Sequence, residues 1–360
     1  MTENCYIHIP FCKQKCNYCA FISYPCIDKI TGYIFSLLKE ITDKYEGEEL
    51  RTLYIGGGTP SLIPTNLLEK VIKKFKFASD AEITIEVNPD DVTPELINTY
   101  TQLGINRISM GIQSLNDTVL KIAGRRHSAQ QALDAINIIS NSKIKNLSCD
   151  LIYGLPKQTC KDFISDINTL ATLPIQHISL YGLKIEENTP FEKNTPNNLP
   201  DEDVQADMYI EACDTLNNLN FKQYEISNFS KPEMFSRHNI NYWNNNSYYG
   251  FGVAAHGYVD GFRYYNTSNL EEYMNNPSVS EYAHHLTETE RLEEEIFLGF
   301  RKSEGIKISE INQKFNIDFC EKYKDCLKKY QGEYIINNGT SVYFTTKGFL
   351  LSNIILAEFL

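Results

Sequence analysis

Short apolar, β-branched segments alternate with longer segments of helical periodicity through the first half of the chain. The predicted strands lie at residues 5–9, 52–55, 83–87, 106–110, 147–153 and 177–181. The helical patterns lie at residues 29–45, 65–75, 93–103, 116–122, 128–140 and 161–173. This order predicts parallel strands joined by crossover helices. About six such units predict an α/β fold with an open, partial (βα)6 barrel of the TIM type, not a closed eight-stranded one. The strands are nearly all apolar, which is typical of strands buried on both faces.

The 360 residues are enough for this barrel and a smaller unit. We predict a barrel over residues 1–190 and an extension of its sheet over residues 191–280, with strands at 221–228 and 248–258. A third unit is predicted over residues 281–360. It begins with a Thr287-Glu-Thr-Glu290 capping box and continues with helical patterns and two short strands at 333–337 and 341–344.

Unusual motifs lie at the C-terminal ends of the predicted strands or directly after them. They are the cysteine loop, Gly56-Gly57-Gly58-Thr59-Pro60, Glu86-Val-Asn88-Pro89, Ser109-Met-Gly-Ile-Gln113-Ser114, Asp150 in the fifth strand with Gly154-Leu-Pro156 after it, and Tyr181-Gly182. The C-terminal ends of barrel strands lie on one rim, where the chemistry of such folds is found. We therefore expect these motifs to form one site, in which the glycines let the backbone approach a ligand closely.

Cys12, Cys16 and Cys19 form a C-x3-C-x2-C pattern in the loop after the first strand. Three thiolates are one fewer than the four that normally hold an iron–sulfur cube, so one iron stays open for a ligand from outside the protein. Two alternatives are a structural zinc site made by these cysteines with His8 and a disulfide. The absence of a second paired motif and the length of the chain favour the cluster.

The run Tyr6-Ile-His-Ile-Pro-Phe-Cys12-Lys-Gln-Lys-Cys16-Asn-Tyr-Cys19 resembles the radical S-adenosylmethionine (SAM) superfamily. Its flanking residues resemble the branch of oxygen-independent coproporphyrinogen III oxidases and HemW-type heme chaperones. The resemblance implies a 4Fe-4S cluster on the three cysteines, with SAM on the open iron, and a small, winged-helix-like C-terminal domain. The residues implied to contact SAM are Tyr6, Tyr18, Gly57, Gly58, Thr59 and Glu86. For the two tyrosines, the alternative is an ordinary packing role.

A second set of residues matches positions that hold a second SAM in the oxidases. These are Gln113, Arg125, whose planar guanidinium suits a carboxylate, and Asp150, which the resemblance pairs with ribose hydroxyls. Alternatively, the basic run at Arg125 is a turn between helices and Asp150 caps a backbone turn.

Two local features resemble the chaperone branch. The oxidases usually carry a further cysteine two residues after the third ligand, where this chain has Phe21. The chaperones carry a His-Asn-x-x-Tyr-Trp motif, present here as His238-Asn-Ile-Asn-Tyr242-Trp243. His238 is a candidate heme ligand, and Tyr242 with Trp243 could pack on a porphyrin face. The resemblance therefore implies that residues 191–280 are a heme-binding segment as well as the sheet extension. The alternative is a polar, aromatic surface loop. His256 is either a second candidate ligand or a rim residue near SAM.

Composition limits the class of protein. A net charge of −12 disfavours nucleic acid as a partner. No apolar run approaches a membrane span, and the first residues lack the basic region of a signal peptide. We therefore expect a cytoplasmic protein with at most peripheral membrane contact.

The function implied by the resemblance is that of a heme chaperone. It would bind a 4Fe-4S cluster and SAM, carry heme to heme-requiring respiratory proteins, and in some relatives form a homodimer. The position of the cluster almost at residue one also favours this branch, because the oxidases carry a longer N-terminal stretch. The alternative is oxygen-independent decarboxylation of coproporphyrinogen III to protoporphyrinogen IX, so whether the protein is an enzyme stays open.

Overall fold

The computed structural model describes residues 1–359. Its strands are β1 (Asn4–Ile9), β2 (Glu49–Gly57), β3 (Lys76–Val87), β4 (Arg107–Gln113), β5 (Asn146–Tyr153), β6 (His177–Gly182), β7 (Lys222–Gln223), β8 (Asn228–Ser230), β9 (Tyr249–Phe251), β10 (His256–Val259), β11 (Phe262–Asn266), β12 (Ser280–His285), β13 (Ile306–Lys307), β14 (Ile335–Asn337) and β15 (Ser341–Phe344). Its helices are α1 (Ile30–Lys44), α2 (Thr65–Ile72), α3 (Pro94–Gln102), α4 (Asp117–Ile122), α5 (Ala129–Ser140), α6 (Cys160–Ala171), α7 (Pro190–Lys193), α8 (Glu202–Asn218), α9 (Arg237–Trp243), α10 (Leu270–Asn275), α11 (Glu288–Gly299), α12 (Ile308–Phe315), α13 (Phe319–Lys322), α14 (Lys324–Tyr330), α15 (Thr346–Leu350) and α16 (Ser352–Leu356).

A nine-stranded sheet in the order β7-β8-β6-β5-β4-β3-β2-β1-β9 forms the body of the molecule. Strands β1 to β6 are parallel and each pairs with the next along the chain. Strand β9 extends the sheet beside β1 and the antiparallel β8 extends it beside β6. The sheet therefore curves without closing within the described residues. These pairings confirm the α/β class, the partial barrel and the sheet extension. The C-terminal helices enclose a small sheet in the order β13-β15-β14, as expected for the small C-terminal domain.

The interior of the barrel is polar, which corrects the expectation of strands that are apolar on both faces. Successive strand residues point to opposite faces. The residues directed at the surrounding helices join the main hydrophobic core, whereas those directed inward are polar and nevertheless buried. The buried inward residues include Thr52, Thr84, Arg107, Ser109, Ser148, His177 and Ser179. A polar interior of this kind suits a polar ligand.

Two predicted strands are each divided in two. The segment predicted at 248–258 forms β9 and β10, because the intervening turn contains Gly252 and Ala254 at positive φ. The segment predicted at 221–228 forms only the short β7 and leads through a turn into β8. Strands β10, β11 and β12 form an antiparallel sheet that the sequence analysis did not predict.

Helix α9 closes the end of the barrel at which the strands begin. The backbone N–H of His238 donates to the carboxylate of Glu82 at 3.1 Å, and its Nδ1 lies 2.7 Å from the hydroxyl of Thr52. The side-chain amide of Asn4 donates to Asn241 at 2.8 Å. Asn4, Thr52 and Glu82 are in register across β1, β2 and β3, and each lies five residues before the last residue of its strand. Helix α9 therefore lies opposite the rim that carries the cysteine loop.

Among residues 1–359, no helix has the length and apolar character needed to cross a bilayer.

A buried carboxylate attaches the sheet extension to α1. Glu40 is fully buried, and its Oε2 accepts hydrogen bonds from the N–H of Gly252 at 2.8 Å and the hydroxyl of Tyr273 at 2.7 Å. Its Oε1 accepts from Asn266 at 2.7 Å and from Lys44 at 2.9 Å. One side chain therefore satisfies donors from several separate elements.

We expect Glu40→Ala to lower the free energy of unfolding by about 3–5 kcal/mol, because the substitution leaves buried donors and a cation without their acceptor. The matched control is Lys39→Ala, an exposed neighbour on the same helix. Urea denaturation followed by circular dichroism measures both. Equal stability of the two variants would contradict the role given to Glu40.

Candidate functional site

The cysteine loop is attached at its base and at its tip. At the base, the N–H of Cys12 donates to Tyr24 at 3.2 Å and the N–H of Tyr24 donates to Pro10 at 2.7 Å. Near the tip, Asn17 donates from its backbone to Ala123 at 3.0 Å and from its side chain to the end of α4. Cys12, Cys16 and Cys19 are partly exposed free thiols between these attachments.

A chain of hydrogen bonds joins two of the cysteines. The hydroxyl of Thr59 donates to Cys12 Sγ at 3.5 Å and accepts from Asn88 at 3.0 Å. The guanidinium of Arg125 donates to Asn88 at 2.7 Å and to Cys16 Sγ at 3.4 Å. Positive charge beside a thiol favours the thiolate, which is the form that binds metal. Asn88 was not predicted as a site residue, although its position directly after β3 on the rim was a usable signal.

The metal-free thiols of Cys12 and Cys19 are protonated. Burial raises the pKa of Cys12, and it raises the pKa of Cys19 to about 11. Metal binding would displace these protons. Within residues 1–359, no three His, Cys, Asp or Glu side chains already surround a metal position.

The alternatives to a cluster find little support in the geometry. All ten cysteines are free, so none of the predicted ligands is in a disulfide. Both ring nitrogens of His8 are occupied, one by the hydroxyl of Tyr6 and the other by the carbonyl of Ile22, each at 2.9 Å. His8 is therefore not directed at the thiols as a fourth zinc ligand.

The glycine triplet lies directly against the cysteine loop. A Cβ on Gly58 would lie 2.7 Å from the carbonyl oxygen of Phe11 and 3.0 Å from Cys12 Sγ. Gly57 has a φ of +117°, and a Cβ there would lie 2.7 Å from the His8 ring. Only glycine fits at these positions, so the peptide groups remain accessible beside the thiols. This cradle fits the cluster and a ligand bound next to it.

Two carboxylates face the barrel interior below the glycines. Glu86 accepts hydrogen bonds from the N–H of Gly57 at 3.0 Å and from the hydroxyl of Tyr54 at 2.8 Å. Burial raises the pKa of Glu86 to about 7. Asp150 accepts from Ser109 at 3.2 Å, and burial raises its pKa as well. Both groups are hydrogen-bond acceptors at the interior, and their contact with SAM stays a prediction. Tyr54 is a second residue that the sequence analysis missed.

Unpaired polar atoms lie in the same region. Gln113 Oε1 and Arg125 Nε are buried without a hydrogen-bond partner within the described residues. Gln113 also adopts a φ of 69°, which is uncommon for a residue with a side chain. Unsatisfied buried groups and backbone strain are features of ligand sites.

The two predicted tyrosines differ in their surroundings. Tyr6 faces the interior, with its ring 6.2 Å from Tyr54. Tyr18 packs on a small apolar cluster that includes Val119 and Leu155. Their contact with SAM stays a prediction.

The His-Asn-x-x-Tyr-Trp motif is divided between two environments. His238 is 1% exposed, and its ring nitrogens contact the hydroxyls of Thr52 at 2.7 Å and Tyr242 at 2.9 Å. Burial lowers its pKa to about 3. It could reach a heme iron only by giving up one of these partners. Tyr242 and Trp243 instead line a cavity of about 770 Å³ outside the barrel.

His256 lines the same cavity as Tyr242, away from the cysteine rim. It begins β10 and is exposed. The two roles considered for His256, a second heme ligand or a rim residue near SAM, stay predictions.

Sequence comparison identifies the family. The model of the radical SAM superfamily matches residues 6–170, and that of the HemN C-terminal domain matches residues 286–351. The heme chaperone HemW of Lactococcus lactis is 36% identical, with 99% of this chain and 97% of that protein aligned. The heme chaperone HemW of Bacillus subtilis is 34% identical, with 99% of each chain aligned. The chain belongs to the HemW family.

A solved structure agrees with the fold of this HemW family member. Coproporphyrinogen III oxidase (HemN) from Escherichia coli, a radical SAM enzyme, superposes with a TM-score of 0.86 at 22% identity, over 99% of this chain and 89% of that one. At this identity the likeness shows the fold alone. The assignment to the HemW family therefore comes from the near full-length relatives.

The three motif cysteines should be required for iron. We expect Cys12→Ala, Cys16→Ala and Cys19→Ala each to lose most bound iron and sulfide after anaerobic reconstitution, because each removes one of three ligands. Cys26→Ala is the matched control, since Cys26 is also a partly exposed free thiol close to the loop. Iron and sulfide analysis with visible absorption checks this. Iron loss in the control, or zinc in place of iron in the parent protein, would contradict the assignment.

Proposed function

We propose that this protein is a heme chaperone that binds a 4Fe-4S cluster and SAM and delivers heme to heme-requiring respiratory proteins. The observation that carries the proposal is the 36% identity to a heme chaperone over nearly all of both chains. From the same family resemblance we propose that it is cytoplasmic, contacts membranes at most peripherally, acts in porphyrin metabolism and forms homodimers.

Cys12, Cys16 and Cys19 would hold the cluster, which when bound supplies an iron open to an external ligand and a one-electron centre. Arg125 stabilises the thiolate of Cys16, and the Gly57-Gly58 backbone presents unhindered peptide groups beside it. The three thiols, the charge of Arg125 and the space beside Gly57 and Gly58 meet at the rim, and together they support the binding of a cluster.

SAM would lie between the glycine cradle and the interior carboxylates. Gly57, Gly58 and Thr59 are placed for its amino acid part, and Glu86 for its ribose. Gln113, Arg125 and Asp150 are proposed for a second SAM. The unpaired atoms of Gln113 and Arg125 support this assignment.

Heme would bind at the opposite end of the barrel. Tyr242 and Trp243 line an aromatic cavity there. His238, whose ring lies inside the barrel, is hydrogen-bonded to the hydroxyl of Tyr242. Aromatic side chains with one polar group suit a porphyrin face. We therefore propose Tyr242 and Trp243 as porphyrin contacts and His238 as the residue that positions them.

The second candidate function is oxygen-independent coproporphyrinogen III oxidation, the alternative that the residues around the cysteine motif leave open. Position 21 argues against it, because Phe21 stands where the oxidases usually carry a cysteine. Phe21 is 69% exposed beside the cysteine loop and has no thiol to offer.

Two parallel assays on anaerobically reconstituted protein test the proposal. One titrates hemin and follows the Soret band, and the other supplies coproporphyrinogen III, SAM and a reductant. Heme binding at about one equivalent, without protoporphyrinogen IX, is the expected result. Formation of protoporphyrinogen IX would make the protein a decarboxylating enzyme. Absence of both heme binding and product would overturn the chaperone proposal.

SAM affinity should depend on the ionisation of Glu86. Below pH 7 this carboxyl group is increasingly protonated and loses capacity to accept hydrogen bonds. We expect affinity to fall about tenfold between pH 8 and pH 6, as linkage to one proton requires. Calorimetric titration measures the change. Glu86→Gln should remove most of this dependence, while Glu95→Gln, at an exposed position on α3, should not.

The free energy of unfolding of Glu86→Gln provides the control for this experiment. The folded-state pKa of Glu86, about 7, lies above its ordinary value of 4.5. Its ionisation therefore lowers stability as the pH rises from about 4.5 to 7, and stability stays lower above pH 7. Glu86→Gln should thus not lower stability at pH 8. A pH dependence of SAM affinity that is unchanged in Glu86→Gln would exclude the proposed role.

A further inference from the structure

One face of the sheet β10–β12 carries a group of aromatic, histidine and arginine side chains. Residues paired across strands share a face, as do residues two apart on one strand. The register places two rows of three side chains on this face: His256, Tyr265 and Tyr282, and Tyr258, Arg263 and His284. In the first row, the rings of Tyr265 and Tyr282 are stacked at 5.1 Å, and the His256 ring lies 5.2 Å from Tyr265.

This face forms a wall of the cavity that Tyr242 and Trp243 also line. Helix α11 adds apolar surface through Phe297 and Leu298. The volume of about 770 Å³ lies within the range of small-molecule sites. The cavity therefore offers a flat aromatic ligand several rings to pack against.

His256 is the imidazole in this cavity that can bind a metal without losing a partner. No described residue hydrogen-bonds to its ring. By contrast, His284 Nε2 lies 3.0 Å from the carboxylate of Glu290, which also accepts from Thr287 in the capping box of α11. His238 is occupied on both nitrogens. Burial, then the nearby charge of Arg263, lowers the pKa of His256, so its ring is neutral, the form that ligates iron.

The charges around the cavity set the orientation of a porphyrin. Arg263 donates to Glu294 at 2.6 Å and lies over the Tyr258 ring, with its guanidinium carbon 4.0 Å from the centroid. Two further carboxylates of α11 line the cavity: Glu290, which is paired with His284, and Glu293. Carboxylates on α11 repel the propionates of heme. The propionates of a bound heme would therefore point to solvent, away from α11.

We propose that His256 ligates the iron of bound heme, with the porphyrin packed against Tyr265 and Tyr282 in this cavity. The inference builds on the proposed heme-chaperone function and adds to it the iron ligand and the binding wall. It differs from the assignment suggested by the sequence motif, in which His238 is the ligand.

The test compares hemin with metal-free protoporphyrin IX on the reconstituted full-length protein. Loss of a residue that merely orients a metal ligand lowers metal affinity roughly 10-fold or more. His256 is proposed as the ligand itself, so His256→Ala should lower hemin affinity at least that much. The substitution should also shift the Soret band. Added imidazole should restore the band. Affinity for metal-free protoporphyrin IX, followed by fluorescence, should change less than about twofold, which also shows that the cavity is intact.

Two further variants complete the design. His285→Ala is the matched control, because His285 lies next to His284 on the opposite face of β12, against Phe262; it should behave as the parent protein. Tyr282→Ala should weaken both ligands.

Each other outcome has a distinct meaning. If the parent protein binds no hemin, the proposed function itself fails. If the parent binds hemin and His256→Ala keeps its affinity and Soret band, or if His284→Ala alone changes them, the ligand assignment is overturned. Loss of both hemin and porphyrin binding in His256→Ala would also overturn it, because His256 would then be a wall residue.

Discussion

The pairing of β1 with β2 on one side and β9 on the other joins the two functional parts of the molecule. At its C-terminal end, β1 leads directly into the cysteine loop. At its beginning, Asn4 is hydrogen-bonded to Asn241 of α9. The added strand β9 leads into the sheet that forms the cavity wall. The backbone hydrogen bonds that β1 makes with β2 and β9 therefore determine where the cavity lies relative to the cysteine loop.

A polar column crosses the barrel between these two ends. Glu86 accepts from Gly57 at the rim and from Tyr54 in the middle of β2. The Tyr54 ring stacks on His238 at 5.3 Å, and His238 in turn contacts the hydroxyl of Tyr242 at the cavity. Polar groups in a low-dielectric interior interact strongly with one another. Burial raises the pKa of Glu86 because the low-dielectric interior disfavours an ionised carboxylate. Perturbed pKa values of this kind cluster at functional sites.

The alternation of strands and helices was sufficient to predict the barrel, and the position of each motif after a strand was sufficient to place the cysteines, the glycines and Glu86 on one rim. Residues that act through contacts distant in sequence were not predictable. Asn88 joins two cysteines only because β2, β3 and Arg125 meet at the rim. His238 has the appearance of an exposed ligand in its motif, but α9 turns it into the barrel.

The hairpin of the antiparallel sheet has a local signal in the sequence. Asp260 and Gly261, both at positive φ, form the two-residue turn of a hairpin in which Val259 pairs with Phe262. The spacing of Tyr282 and His284, two residues apart, also indicated in the sequence that the two side chains share one face of a strand. Their meeting with α9 around one cavity was not, because it depends on how β9 extends the main sheet.

The central claim is that cofactor and cargo occupy opposite ends of the barrel. Anomalous diffraction at the iron edge, from crystals of reconstituted, heme-loaded protein, tests it most directly. The account predicts one iron feature beside Cys12, Cys16 and Cys19, and a second beside His256 next to α9. A second iron feature at the cysteine rim, with none near His256, would contradict it.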